Sequence, residues 1–389
     1  MIPDYDVVTV GGSISGLLAS REIAESGFKV KVLEDDLEIG LPEKCDGLVS
    51  IRCLEAIGIA PTSRLIQNNI KKAVVYSPNG SSIEIDASNQ GIVVLDRSKF
   101  DRELAKNASN SGAEIELGQR VNKKNQEDKS VTIFTETASY TSKWVVNAVG
   151  YSALPILEKK TLPAAKFEVY GNWFKKDTIE IYFDQRKTPG YFLWVIPISS
   201  DIAKVGSAGI GVNQFQILDD FIKERKGSVV KKTAAQIVVG GPINQFVSGN
   251  IVTVGDAAGQ AKPTTGGGIY SGGVGGILAG KYLSESLSSD DNQKIFKYEK
   301  IWRKLFNKEF RSQSQIRGIL NKIDNSKIDK IFNIIKNSNI LERISLESDF
   351  DYHSFALLKT FGVKNAFQIT SLLADTFLDS FRKKIDKKT

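Results

Sequence analysis

The stretch YDVVTVGGSISGLLASREIAESGFKVKVLE, residues 5–34, decides the fold. An apolar strand from Tyr5 to Val10 runs into Gly11-Gly12-Ser13-Ile14-Ser15-Gly16, a helical run follows to Ser26, and a second strand, Phe28 to Leu33, ends at Glu34. This is the order of a βαβ dinucleotide-binding unit. Gly11 and Gly16 let the backbone approach a pyrophosphate, the amides at the helix start face its charge, and Glu34 accepts from ribose hydroxyls. Ser13 stands where the middle glycine of such a fingerprint is usual; its side chain is short and can itself donate a hydrogen bond.

Outward from this unit, 389 residues are enough for two or more domains, and a hydrophobic fraction of 41% suits a globular core. Two cysteines, Cys45 and Cys53, argue against a disulfide framework, and no secretory leader pattern precedes the first strand. A cytoplasmic location is expected. The formal charge of +7 favours acidic partners. Its Lys and Arg residues are spread along the chain, with a modest cluster from Arg382 to Lys388 and no nucleic-acid motif, so no nucleic-acid partner is expected. The uncharged stretch Pro263 to Gly280 is too rich in glycine to face lipid and reads as a buried helix. Gly268, Gly272, Gly276 and Gly280 form a bare stripe on it, where another backbone or a flat ligand can come close.

Further along, a hairpin is expected around Pro78-Asn79-Gly80, a helix from Ser98 to Ser111 after the Asp96-Arg97 turn, and alternating strands from Ala113 to Val149. Residues 165–211 read as antiparallel strands crowded with aromatic residues, most of them ordinary core. Ile251 to Val254 reads as a buried strand delivering Gly255-Asp256, and the chain from Asp290 onward as amphipathic, basic helix.

Taken in order, the N-terminal fingerprint with Glu34, the Asp96-Arg97 turn, Asn147-Ala148-Val149-Gly150 and Gly255-Asp256 resemble the flavoproteins typified by p-hydroxybenzoate hydroxylase. The resemblance implies an α/β fold: a Rossmann-like FAD-binding domain (residues 1–72, 92–164 and 248–288) interleaved with an antiparallel-sheet substrate domain (73–91 and 165–247), then a helical C-terminal region (289–389). It implies FAD as cofactor, with Arg97 touching it, Asp256 accepting from its ribityl chain, and amides of Gly266, Gly267, Gly268 and Ile269 at a helix start facing the pyrimidine end of its ring. Gly11, Ser13, Ser15, Gly16, Cys45, Asp46, Gly47 and Val121 complete the implied cofactor set.

Within these flavoproteins, three segments are similar to geranylgeranyl reductases. They are Gly40-Leu41-Pro42-Glu43-Lys44-Cys45-Asp46-Gly47, the aromatic-x-Trp-x-x-Pro run at Phe192, Trp194 and Pro197 followed by Gly209 and Gly211, and the glycine-rich block with the later Tyr298, Glu299, Trp302 and Arg303. Cys45-Asp46-Gly47 departs from that family's Cys-Gly-Gly or Cys-Gly-Asp, and Val149 stands where it often has aspartate. The resemblance implies saturation of isolated C=C bonds in geranylgeranyl chains, with Tyr191, Phe192, Trp194, Pro197, Gly209 and Gly211 at the substrate.

An isolated alkene has no carbonyl to polarise, so no metal site is expected; the reaction needs a hydride at the flavin, a proton donor and an apolar tunnel. The only histidine, His353, lies beyond the matching motifs, and Cys45 is the candidate proton donor, with a small filler beside the cofactor as its plain alternative. Cys53 reads as core. Two rivals stay open: a flavin monooxygenase or halogenase, since Phe192 to Pro197 is also similar to the halogenases' Trp-x-Trp-x-Ile-Pro, and a non-catalytic FAD-binding redox protein. A single dinucleotide unit leaves the electron donor between an acidic carrier such as a ferredoxin and NAD(P)H, and the basic tail suits a peripheral seat on the inner face of an anionic membrane.

Overall fold

A computed structural model describes residues 3–126, 130–153, 161–337 and 349–352. His353 and the basic cluster from Arg382 to Lys388 lie outside the described residues. Its helices are α1 (Ile14–Glu25), α2 (Ile51–Ala56), α3 (Arg97–Asn110), α4 (Gln214–Glu224), α5 (Ile269–Ser289), α6 (Phe296–Leu320) and α7 (Asn325–Lys336). The chain divides into two compact units, the first made of Met1–Ile66, Leu95–Thr161 and Ile237–Arg311, the second of Gln67–Val94, Leu162–Gln236 and Ser312–Thr389.

The first unit is built on the βαβ stretch. Tyr5–Val10 lies at the centre of a sheet, parallel to Val30–Leu33 on one side and to Ser139–Asn147 on the other. Ile251–Thr253 extends the parallel order beyond Asn147, and Glu114–Glu116 extends it beyond Leu33. Strands buried on both faces read as continuous apolar runs, and Val7, Val8, Val30 and Val32 are wholly buried here. Val131–Phe134 and Lys123–Gln126 add an antiparallel edge.

The bare stripe of α5 has a packing reason. A Cβ at Gly276 would lie 2.3 Å from the carbonyl oxygen of Ser15, and one at Gly280 would lie 2.6 Å from that of Ala19, so α5 is pressed against the backbone of α1. Of the two partners the stripe allowed, another backbone or a flat ligand, the structure shows the backbone of α1 along Gly276 and Gly280. Helix α6 backs α5: wholly buried Trp302 packs its ring against Phe246, Phe306 and Phe310 and donates from Nε1 to the carbonyl of Ser271 at 2.9 Å.

The second unit holds a sheet in the order Ser228–Val238, Thr161–Tyr170, Ile202–Ala208, Leu193–Pro197, Thr178–Tyr182, Lys72–Tyr76, Ser82–Asp86. Alternation sets its core: Phe167, Val169, Leu193, Val195 and Val205 bury one face against Leu218, Phe221 and Ile222 of α4. The hairpin Lys72–Tyr76 and Ser82–Asp86 turns where Gly80 takes a φ of +84°, and Ile83 packs with Ile328, Phe332 and Ile335 of α7. Among the described residues no helix is long and apolar enough to cross a membrane.

Two glycines on long helices should respond in opposite directions to alanine. Gly276→Ala drives a Cβ into the Ser15 carbonyl and is expected to lower unfolding free energy by about 1–3 kcal/mol. Gly318→Ala, on α6 with nothing within 4 Å of the added carbon, is expected to raise it by about 0.4–1 kcal/mol. Urea unfolding of both variants checks the pair; a neutral Gly276→Ala would contradict the close α1–α5 contact.

Candidate functional site

The turn after the first strand is shaped by what it excludes. Gly11 has a φ of +108°, and a Cβ there would lie 2.3 Å from the carbonyl oxygen of Ala148; a Cβ at Gly16 would lie 2.1 Å from that of Gly11. The first helical bond of α1 runs from the Leu17 amide to the Ser13 carbonyl at 2.9 Å, which leaves the amides of Ile14, Ser15 and Gly16 without an intrahelical acceptor. Ser13 is the N-cap, is exposed, and makes no capping bond with its side chain. The turn therefore presents N–H groups, a hydroxyl and the positive end of a helix dipole, the donor set of a pyrophosphate site. Ser15 is half-buried, its Oγ packed close to Gly255 and Gly272.

Glu34 closes the next strand. Its Oε2 accepts from the Gly12 amide and its Oε1 from the Asp36 amide at 3.0 Å, so the carboxylate is fixed beside the turn. Burial, and Asp35 beside it, outweigh these bonds and push its pKa upward.

A second cluster forms around Arg97, the first residue of α3. Asp96 caps that helix by accepting from the Lys99 amide at 3.1 Å. The Arg97 guanidinium is nearly buried and grips Asp101 through Nη2 at 3.0 and 2.9 Å. Burial opposes its charge, but Asp101 and then Cys45 hold the proton, and its pKa rises. Cys45 is exposed and reaches this guanidinium from the loop 40–47; Gly47 lies flat against the start of α3, since a Cβ there would lie 2.5 Å from the Leu95 carbonyl oxygen and 3.2 Å from Arg97 Cγ. Asp46 between them is half-buried. Neither cysteine is in a disulfide, and Cys53 is wholly buried in α2.

Asp256 enters from the strand Ile251–Thr253. Burial pushes its pKa up to about 6, against the opposing charge of Arg97. Arg97 thus acts on two residues far apart in sequence, the Cys45 thiol and the Asp256 carboxyl. A Cβ at Gly268, the N-cap of α5, would lie 2.9 Å from Asp256 Oδ1. The first bond of α5 runs from the Gly272 amide to the Gly268 carbonyl at 2.8 Å, leaving the amides of Ile269, Tyr270 and Ser271 without an intrahelical acceptor. The Gly266 amide expected to be free is not: it donates to the Lys262 carbonyl at 2.8 Å, and the Lys262 amide donates to Gly267 at 3.0 Å, so this triple glycine first closes a tight loop.

Residues outside the candidate set hold that loop. Gln260 accepts from the Gly255 amide at 2.8 Å and donates to the Tyr298 hydroxyl at 2.8 Å, and Tyr298 in turn donates to the Thr253 carbonyl at 2.8 Å. Glu299 accepts from the Phe246 amide, and Arg303 donates to the carbonyls of Ile243 and Asn244. The Tyr298, Glu299, Trp302 and Arg303 signature is therefore a brace. Val121 is half-buried against the cluster of Val8, Val10, Leu33, Val131, Ile133 and Val145.

The remaining candidates lie in the second unit. Tyr191 is buried and stacks on Phe192 at 4.1 Å, and Phe192 meets Trp194 edge to face at 6.1 Å. Phe192 and Trp194 sit two apart and half-buried, on the face of the sheet opposite Leu193 and Val195. The Trp194 ring lies over Gly206, where a Cβ would come within 2.2 Å of it. Pro197 is buried at the strand end, Gly209 is pinned against Pro189, and exposed Gly211 has a φ of +76°.

Asp256 gives a pH signature for the protein without cofactor. Its folded pKa of about 6 lies above the ordinary aspartate value of 3.8, so the folded state binds the proton more tightly and stability falls as pH rises through about 4 to 6. Asp256→Asn is expected to remove that decline and to leave the cofactor-free protein more stable at pH 7 by about 3 kcal/mol at most. Urea midpoints at several pH values check this; a variant that keeps the wild-type slope would contradict it.

The donor-rich starts of α1 and α5, the fixed Glu34 and the Asp256 carboxyl together suit a pyrophosphate, a ribose, and a polyol chain ending in an anionic ring. Comparisons with known proteins agree. The family described as FAD binding domain matches residues 4–198, half of the chain. Digeranylgeranylglycerophospholipid reductase 1 of Methanopyrus kandleri is 28% identical over 88% of this chain and 97% of its own. Digeranylgeranylglycerophospholipid reductase 1 of Methanococcoides burtonii is 29% identical over 86% of this chain and 88% of its own. Among solved structures, a geranylgeranyl bacteriochlorophyll reductase-like protein from Thermoplasma acidophilum shares the fold with a TM-score of 0.84, covering 96% of this chain and 99% of that one at 24% identity. With its fingerprint, its two helix starts and half its length inside the matched region, this chain belongs to the FAD-binding domain family and takes FAD as its cofactor.

Proposed function

We propose that this protein is an FAD-dependent reductase that saturates isolated C=C bonds of geranylgeranyl chains on glycerophospholipids of the archaeal kind or their precursors. The observation that carries the reading is the exposed Cys45 thiol held against the Arg97 guanidinium, in the same unit as the FAD cradle. The near full-length likeness to proteins named digeranylgeranylglycerophospholipid reductase supports it.

In this reading Gly11 and the amides of Ile14 to Gly16 hold the pyrophosphate, Glu34 the ribose, and Asp256 the ribityl chain. The amides of Ile269, Tyr270 and Ser271 hold negative charge at the pyrimidine end of the ring. When bound and reduced, FAD supplies the hydride. Cys45 supplies the proton: its S–H bond breaks as a C–H bond forms on one alkene carbon while the hydride is received by the other. The sulfur left behind faces the Arg97 guanidinium, and its exposure lets solvent return the proton. Asp101 fixes the guanidinium in that position. Phe192 and Trp194 give the prenyl chain an aromatic surface. The charge of +7 suits an acidic electron carrier such as a ferredoxin, with NAD(P)H the other donor, and a peripheral seat on an anionic membrane on the cytoplasmic side.

Two outcomes test the reading. Reduced anaerobically with dithionite and given a geranylgeranylated glycerophospholipid, the protein is expected to yield product heavier by two hydrogens per saturated bond. NAD(P)H oxidation tied to dioxygen, with unchanged prenyl chains, would assign it to the oxygenases instead. Cys45→Ser is expected to retain FAD while lowering kcat by about 100-fold; unchanged turnover would remove Cys45 as the proton donor.

A further inference from the structure

The second unit carries a buried cation with no ion pair to an acid among the described residues. Arg317 on α6 is 5% exposed, and its Nε and Nη1 are buried with no hydrogen-bond partner. Leaving charged donors unsatisfied in the interior is costly, which is why most such groups are paired. The Tyr191 ring lies beside Arg317, with the guanidinium carbon 5.2 Å from the ring centre, and its Nη2 and Asn321 Oδ1 both approach Gly190. Burial lowers its pKa, and the weak opposing influence comes from Tyr191, with no carboxylate among the causes.

A second orphan donor lies on the turn 184–190 that leads to Tyr191. Gln185 uses Oε1 to accept from the Gly190 amide at 2.7 Å, while its Nε2 is buried without a partner. Arg317 Nη2 lies 3.5 Å from where a Cβ of Gly190 would stand, so both side chains converge on Gly190. The orphan atoms are all N–H donors, and what they lack is an acceptor with several oxygens. The turn adds one net positive charge, since exposed Arg186 pairs through Nε with Asp184 Oδ1 at 3.3 Å and exposed Lys187 has no acid beside it in sequence. Its one acid, Asp184, accepts from Asn325 at 2.7 Å and from the Arg186 amide at 3.0 Å.

We propose that Arg317 and Gln185 form a binding site for a phosphate group, next to Tyr191 at the head of the aromatic run that continues through Phe192 and Trp194. This rests on the reductase reading, for which the group is the phosphate at the polar end of the prenyl lipid. The guanidinium supplies charge and paired N–H donors, Gln185 Nε2 a further donor, and the prenyl chain leaves along the aromatic residues.

The test is direct binding, kept apart from turnover. Equilibrium dialysis of the full-length FAD-loaded protein compares geranylgeranyl phosphate with geranylgeraniol, so that the prenyl contribution cancels. The wild type is expected to bind the phosphate at least about tenfold more tightly, Arg317→Gln to lose that preference with geranylgeraniol binding unchanged, and Arg317→Lys to keep part of it. If Arg317→Gln does not fold, Gln185→Glu serves: it keeps the acceptor for Gly190, replaces the orphan donor with an anionic oxygen, and should abolish the preference. Inorganic phosphate, added as competitor, distinguishes sources: displacement only at millimolar levels marks the lipid headgroup, and displacement at micromolar levels marks free phosphate as the ligand. No preference in the wild type, a preference that survives Arg317→Gln, or equal weakening of both ligands would overturn the site. Phosphate-dependent binding without alkene saturation would leave the site standing and remove the reductase reading.

Discussion

The first unit depends on two helix backbones pressed together without side chains between them. Ser15 and Ala19 of α1 present carbonyls that Gly276 and Gly280 of α5 meet at distances no Cβ would permit. Glycine costs about 1 kcal/mol per helix position relative to alanine, and α5 carries several. The return is geometric: the start of α1, Gly255 and the start of α5 come close enough for Ser15 Oγ to pack against both Gly255 and Gly272. Two helix starts are thereby held in one unit, one suited to a pyrophosphate and the other to an anionic ring.

Electrostatics then organise what the packing brings together. A buried arginine is tolerable because Asp101 takes it bidentately, and from that fixed position its charge reaches Cys45 on one side and Asp256 on the other. One cation thus opposes the desolvation of the Asp256 carboxyl and lies beside the Cys45 thiol. The contrast with Arg317 is informative: equally buried, it has an aromatic ring where Arg97 has an acid.

Much of this was legible in the residues. The βαβ stretch, the Asn79-Gly80 hairpin and the helix after Asp96 follow from local period and turn chemistry, and the structure has each of them. The stripe on α5 was visible as a need for close approach, but spacing alone could not say whether a ligand or a backbone would meet it. The loop before α5 misled for a related reason: glycine permits an exposed amide, yet Gly266 uses its own to close on Lys262. Tyr298 and Trp302 stood out as a signature, while their work as a brace needs Gln260 and Ser271, which carry no motif. The meeting of Cys45, Arg97 and Asp256 is set by the sheet order and not by any local pattern. Arg317 and Gln185 had no signal at all, because a missing partner is a property of the folded chain.

The central claim is that electrons leave the FAD of this protein for an unactivated alkene. Stopped-flow absorbance near the flavin maximum tests it most directly, with reduced protein mixed in the absence of oxygen with a geranylgeranylated lipid or with its fully saturated counterpart. The account predicts recovery of the oxidised flavin spectrum with the unsaturated lipid and none with the saturated one. A flavin that stays bleached with both, and regains its colour only when air is admitted, would contradict it.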